Sequence, residues 1–207
     1  MASSPSIACP ACSEPVSISD DCIVRYFDGK PDRCGQCGAE LDWWAAACRE
    51  MASSFTQDKA LALAGGRETA DESWDSMVEA FESYSQQRYD SMIVPACAAV
   101  ESSLSGLLSR RLPSLVSQRR ADNEAAGSHH LDVLLPLVAH YHGIPYLPRD
   151  IHAALDKLRA LRTDLELGGV ASSTLDASAA AELLCGALFG VHYLRYVEGR
   201  LAPSVSA

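Results

Sequence analysis

Positive charge is scarce in this sequence: 17 Lys and Arg stand against 27 Asp and Glu, a formal net charge of −10 over 207 residues. The deficit runs through both halves, with eight acidic against four basic residues in 1–54 and nineteen against thirteen in the remainder. Affinity for phosphate backbones comes largely from Lys and Arg displacing counterions, so bulk electrostatics disfavours nucleic acid as a partner. Only residues 110–120 are densely basic, from Arg110 and Arg111 to Arg119 and Arg120. Four arginines near a helix end read first as a solvated face.

Other absences are equally restrictive. No G-x-G-x-x-G and no P-loop occurs, so a nucleotide cofactor is not indicated. No Glu-x-x-His pair is present, which speaks against a di-metal bundle enzyme. No run approaches the roughly 18 apolar residues of a membrane helix, and the start, MASSPSIACPAC, has no basic region, no apolar stretch of useful length and no cleavage site. The expectation is a soluble, cytoplasmic protein with no membrane partner. Apolar residues at 48% against 21% charged are enough for a sizeable core.

Cysteine, by contrast, is abundant, with eight residues. Without a secretion signal, and with four of them paired, they point to metal in a reducing compartment rather than to disulfides. Cys9-Pro10-Ala11-Cys12 and Cys34-Gly35-Gln36-Cys37-Gly38 are two C-x-x-C pairs at zinc-ribbon spacing. Each pair predicts a tight knuckle, with Gly35 and Gly38 allowing positive φ and Pro10 stiffening the first. Two knuckles give a tetrahedral, all-sulfur site for a structural Zn2+. Four thiolates leave no position open for a catalytic water, and with one zinc ion they carry a charge of −2. Between the knuckles, Pro15 to Ser19 and Cys22 to Phe27 read as short strands and Asp28-Gly29-Lys30-Pro31 as a turn. Such a small segment lacks the core to fold without its metal. Cys22, Cys48, Cys97 and Cys185 have no partner at metal spacing and are assigned to packing.

From Leu41 onward the period is helical. Leu41, Trp44, Ala45, Cys48, Met51 and Phe55 form one stripe, and Gly65-Gly66 lies in a linker. Thr69-Ala70-Asp71-Glu72 reads as a capping box for a helix with Trp74, Met77, Val78, Phe81 and Tyr84 inward. A long helix spans about Asp90 to Arg111, with Pro95 opening or bending it and Glu101 at the edge of its stripe. After a polar loop, Leu131, Leu134, Leu135 and Val138 form a stripe ended by Gly143. Pro148 or Asp150 opens a helix with Ile151, Ala154, Leu155, Leu158, Leu161 and Leu165 inward, which stops at Gly168-Gly169. The last helix runs from about Leu175 to Leu201. The fold class is therefore mainly α, a small N-terminal four-cysteine zinc ribbon followed by an all-α bundle. The segments are 1–40 for the ribbon, 41–70 for a connecting helix and linker, 71–201 for the bundle and 202–207 for a tail.

The order of these helices resembles the HEPN superfamily over roughly residues 73–200. The resemblance rests on "PACAAVESSLSGLL", the connector "GIPYLP", the strip "LDKLRALRTDLELGG" and the final "VHYLRYVEGRL". Active members carry Arg-Asn-x-x-x-His followed by Gly, which aligns with Arg162 to Gly168. Arg162 is kept, whereas Thr163 stands at the Asn position and Leu167 at the His position. Cleavage of RNA through its 2′-hydroxyl needs a group that moves a proton near neutral pH; histidine does so and leucine does not. Arginine alone stabilises phosphate charge without acting as a base. The strip of Arg162, Thr163, Glu166 and Leu167 therefore reads as a degenerate nuclease motif with no catalytic residue. On purely local grounds Arg162 pairs with Glu166 at i+4 and Leu167 packs under the cap.

None of the six histidines, His129, His130, His140, His142, His152 and His192, follows Arg162 at the motif spacing. His152 sits at i+4 from Asp156, which suits a structural hydrogen bond. The expectation is a non-catalytic, zinc-binding interaction or adaptor protein, a homodimer or bound to a partner protein. The resemblance implies a setting in toxin–antitoxin or phage-defence systems. The alternatives are a HEPN-type ribonuclease with a divergent site, or a nucleic-acid-binding module using the ribbon and the arginines at 110–120.

Overall fold

The structure is a computed structural model, and it describes residues 6–17, 20–54, 72–111, 135–167 and 175–201. Its first part is two small antiparallel hairpins separated by a helix. Strands β1 (Ser6–Ala8) and β2 (Pro15–Ser17) pair with Ile7 opposite Val16. Strands β3 (Asp32–Arg33) and β4 (Glu40–Leu41) pair with Asp32 opposite Leu41. Helix α1 (Asp20–Phe27) lies between the hairpins in sequence.

Six further helices follow among the described residues: α2 (Trp43–Ser54), α3 (Glu72–Ser85), α4 (Tyr89–Arg111), α5 (Leu135–Tyr141), α6 (Arg149–Glu166) and α7 (Ala177–Leu201). The mainly helical class expected from the apolar periodicity is what the chain adopts. Three expectations need correction. Cys22 to Phe27 is helix α1 and not a strand, because Ile23 and Phe27 at i and i+4 bury together with Cys22. Gly29, at φ +67°, then closes the helix, with the Gly29 and Lys30 N–H groups donating to the carbonyls of Tyr26 and Arg25. Leu41 belongs to β4, so α2 begins only at Trp43, where Asp42 caps it by accepting from the Ala45 N–H at 3.0 Å. The third concerns membrane-like segments: α4 and α7 are long and apolar enough by composition to span a bilayer, although 56% and 72% of those windows are buried inside the protein. Alanine and glycine fill the gaps between their leucines, as core helices of a bundle require.

The linker at 56–70, the capping box at Thr69, the loop with Arg119 and Arg120, Gly168-Gly169 and the tail at 202–207 lie outside the described residues. Gly143 ends α5 as expected, at φ +63°. Pro148 precedes the first residue of α6, and Pro95 sits buried within α4.

Helix α7 is the axis of the fold, buried along Ala180 to Val197 and packed against α2, α4 and α6. Its approach to α6 is very close: a Cβ on Gly186 would stand 2.6 Å from the Ala154 Cβ, so only glycine lets these backbones meet. Asp176 caps α7 by accepting from the Ala179 N–H at 2.8 Å. The Tyr84 hydroxyl lies 3.2 Å from the carbonyls of both Met51 and Ala177, joining the end of α3 to α2 and to the start of α7. One continuous apolar cluster runs from Ile7, Ile23 and Phe27 of the cysteine module through Trp44 and Phe189 into the bundle.

Candidate functional site

The two knuckles are built alike. The Cys9 N–H donates to the Glu14 carbonyl and the Ser13 N–H to the Cys9 carbonyl; the Cys34 N–H donates to Ala39 and the Gly38 N–H to Cys34, all at 2.9 Å. Each hairpin thus turns through its C-x-x-C pair. The fifth residue of each loop is left-handed, Ser13 at φ 62° and Gly38 at φ 72°. Gly35, expected to share that conformation, is not left-handed, because the strained position falls after the second cysteine of each pair and not between the two.

The four sulfurs converge. Cys9 Sγ lies 3.7 Å from Cys37 Sγ and Cys12 Sγ lies 3.7 Å from Cys34 Sγ, with all four within 4.8 Å of one another. A tetrahedron of sulfurs about 2.3 Å from a central ion has edges of roughly 3.8 Å, so these distances fit a four-thiolate metal centre. The first cysteine of each pair, Cys9 and Cys34, is buried, and the second, Cys12 and Cys37, is exposed. Backbone N–H groups of Ala11 and Cys12 draw the Cys9 thiol down to about 7. At Cys12 the Glu14 N–H pulls the same way, but Cys37 and the other neighbouring thiols outweigh it and push the group up to about 12. One thiolate makes the next harder to form, and a bound cation removes that penalty.

The remaining cysteines pack. Cys97 and Cys185 are buried, and Cys48 rests half-buried against the core. Burial raises the Cys97 thiol to about 12, and it donates to the Leu158 carbonyl at 3.7 Å. Cys22, on α1, has its sulfur 3.9 Å from Arg25 Nη2.

The strip on α6 has a geometry that sequence spacing only half predicts. Arg162 Nε donates to Glu166 at 2.7 Å, the expected i+4 pair. Its Nη1 donates to Glu101 of α4 at 2.6 Å, a partner 61 residues away. These two carboxylates hold the guanidinium firmly charged and occupy donors on two of its nitrogens. Thr163 Oγ1 donates back to the Arg159 carbonyl at 3.1 Å. Leu167 is 80% exposed and does not pack under a cap, since the chain turns at that residue and leaves its side chain outside.

No protein-family model matches this chain, and neither does any curated protein or solved structure.

The described histidines have other environments. His152 Nδ1 is 3.0 Å from Asp156, the expected i+4 contact. His140 Nδ1 is 3.1 Å from the Tyr146 hydroxyl, and the His142 ring lies against Tyr141. His192 keeps part of its surface open while its Nε2 is enclosed and unpaired, and burial first, then Arg195, lowers it to about 3. His129 and His130 lie outside the described residues. Of the basic stretch, Arg110 grips Glu198 at 2.8 and 3.0 Å, and Arg111 Nε is 3.7 Å from the same carboxylate. Sequence reasoning missed Glu101 as a partner of Arg162 and Glu198 as a partner of Arg110; both pairs link residues far apart in the chain, and only the edge position of Glu101 was readable.

Proposed function

We propose that this chain is a non-catalytic, zinc-binding interaction protein in which a closed four-thiolate centre stabilises a small module fixed to a HEPN-like helical bundle. The observation that carries the reading is the double engagement of Arg162. A phosphodiester approaching the strip meets a cation already neutralised by Glu101 and Glu166, and an exposed hydrocarbon where the family motif needs an imidazole. A phosphate there must compete with two carboxylates that already hold the guanidinium through charge-assisted hydrogen bonds. The bundle is then a scaffold for holding a protein partner or a second copy of itself, in a reducing, cytoplasmic setting that leaves the thiols free for metal. The HEPN-like reading brings with it a setting in toxin–antitoxin or phage-defence systems.

Zinc is the ion of choice because four thiolates in tetrahedral array favour a soft or borderline cation, and zinc needs no redox partner or open position there. Elemental analysis of the protein purified without added metal tests this, with one zinc per chain expected. The functional reading is tested by incubating the full chain with RNA and by identifying proteins that co-purify with it. Metal-independent cleavage abolished by Arg162→Ala overturns the non-catalytic reading in favour of a divergent ribonuclease. Salt-sensitive RNA or DNA binding without cleavage favours the nucleic-acid module instead.

A further inference from the structure

The segment that joins the two knuckles does more than span them. It contains α1, and α1 lies across α7. Phe27, only 2% exposed, meets the Tyr193 ring edge-on at 5.4 Å and the Tyr196 ring at 5.5 Å, and Tyr26 meets Phe189 edge-on at 5.8 Å. Just past the helix, Asp28 accepts from the Tyr196 hydroxyl and, at 3.0 Å, from Arg200 Nη2. Helix α1 therefore covers an aromatic face on the axial helix of the bundle.

These contacts act on a helix that cannot hold its own conformation. Eight residues are too few to persist as a helix alone. Its two chain neighbours are hairpins with strands of three and two residues, below the length at which a two-stranded ribbon holds itself. The hairpins are clamped to each other across α1 by sulfur: Cys12 and Cys34 are 22 positions apart and Cys9 and Cys37 are 28 apart, and both pairs meet at 3.7 Å. Helix α4 packs on α3 and on α6, and all three pack on α7.

We propose that the four-cysteine centre is a metal-operated latch: the bound ion holds α1 across Phe189, Tyr193 and Tyr196 of α7, and loss of the ion uncovers that aromatic face while the rest of the bundle stays folded. This rests on the metal reading above and adds a consequence to it. The ion then sets what surface the bundle presents, in addition to stabilising its own module.

Hydrogen exchange on the full chain, with zinc bound and with zinc stripped by a chelator under reducing conditions, is the test. Zinc content is measured first. A chain that binds no zinc at all overturns the metal reading and the latch together. With zinc shown to bind, stripping is expected to speed exchange across residues 20–27 by about tenfold or more and to leave 149–166 within about twofold. Protection of α1 that survives stripping overturns the latch alone, and so does a simultaneous loss of protection throughout the chain. The variant Phe27→Ala supplies the converse: it keeps its zinc, and α1 is expected to exchange as fast as in the stripped protein. An α1 that remains protected in Phe27→Ala overturns the claim that this ring seats it. In a Trp74→Phe background, emission from Trp43 and Trp44 is expected to shift to the red on stripping, since both indoles are buried around this junction.

Discussion

Ser13 and Gly38 hold the same place in two matching loops, each donating its N–H to the carbonyl of the cysteine four residues before it and each left-handed. Only one of them is a glycine. A side chain at positive φ costs roughly 1–2 kcal/mol, so the first knuckle carries a strain the second does not. Replacing Ser13 by Gly is expected to raise the thermal midpoint of the protein modestly, and Gly38→Ala to lower it by a destabilisation of about 1 kcal/mol. A Cβ on Gly38 has open space around it, so a loss there measures backbone conformation and not a clash.

The meeting of α6 and α7 gives a sharper contrast between two glycines. Gly186→Ala drives a methyl to 2.6 Å from the Ala154 Cβ, which cannot rotate away, and overpacking of this kind costs about 1–3 kcal/mol. Gly190→Ala meets only the end of the Leu155 side chain at 3.1 Å, which can turn aside. Urea denaturation is expected to rank Gly186→Ala well below Gly190→Ala in stability, and equal midpoints would contradict the close approach.

Arg162 is expected to contribute little to stability despite its two partners. Its side chain is 28% exposed and those of Glu101 and Glu166 are 46% and 57% exposed, so solvent screens both pairs. Arg162→Ala is expected to cost no more than about 1 kcal/mol of stability. Binding to a partner that reads this face is expected to change its salt dependence, measurable by titration at two ionic strengths.

The enclosed Nε2 of His192 predicts acid sensitivity. The unfolded chain takes up a proton on this ring near pH 6.5, whereas the folded chain resists protonation until about 3. Below 6.5 the unfolded state therefore binds more protons, and stability falls by up to about 1.4 kcal/mol per pH unit until the folded value is reached. His192→Leu is expected to flatten the stability profile between pH 6.5 and 4.5. Below that range the decline persists, because Asp28, held low by Tyr196 and Lys30, and Glu198, held low by Arg110, lose stabilising charge as they protonate. A profile unchanged by His192→Leu would assign the acid loss wholly to carboxylates.

Local chemistry made part of this molecule legible in its sequence. The C-x-x-C pairs announced four converging sulfurs, and the apolar periods of α3, α4, α6 and α7 announced a bundle. Cys22 to Phe27 misled because six residues with Ile23 and Val24 carry a β-leaning composition. Their helix is decided by burial of Ile23 and Phe27 and by the left-handed Gly29, and Phe27 buries against Tyr193 and Tyr196 far along the chain. Arg162 was half legible for the same reason. Glu166 is one helical turn away, whereas Glu101 reaches it only because α4 and α6 run side by side, with Cys97 and Glu101 answering Leu158 and Arg162 in step.

Because Phe27 beds against rings of helix α7, the cysteine-bearing portion cannot be treated as a detachable bead. Cut free and grafted onto another scaffold, it would arrive with an oily underside that was shaped by Tyr193 and Tyr196. Shuffling during evolution, or swapping by an engineer, would have to carry both segments together.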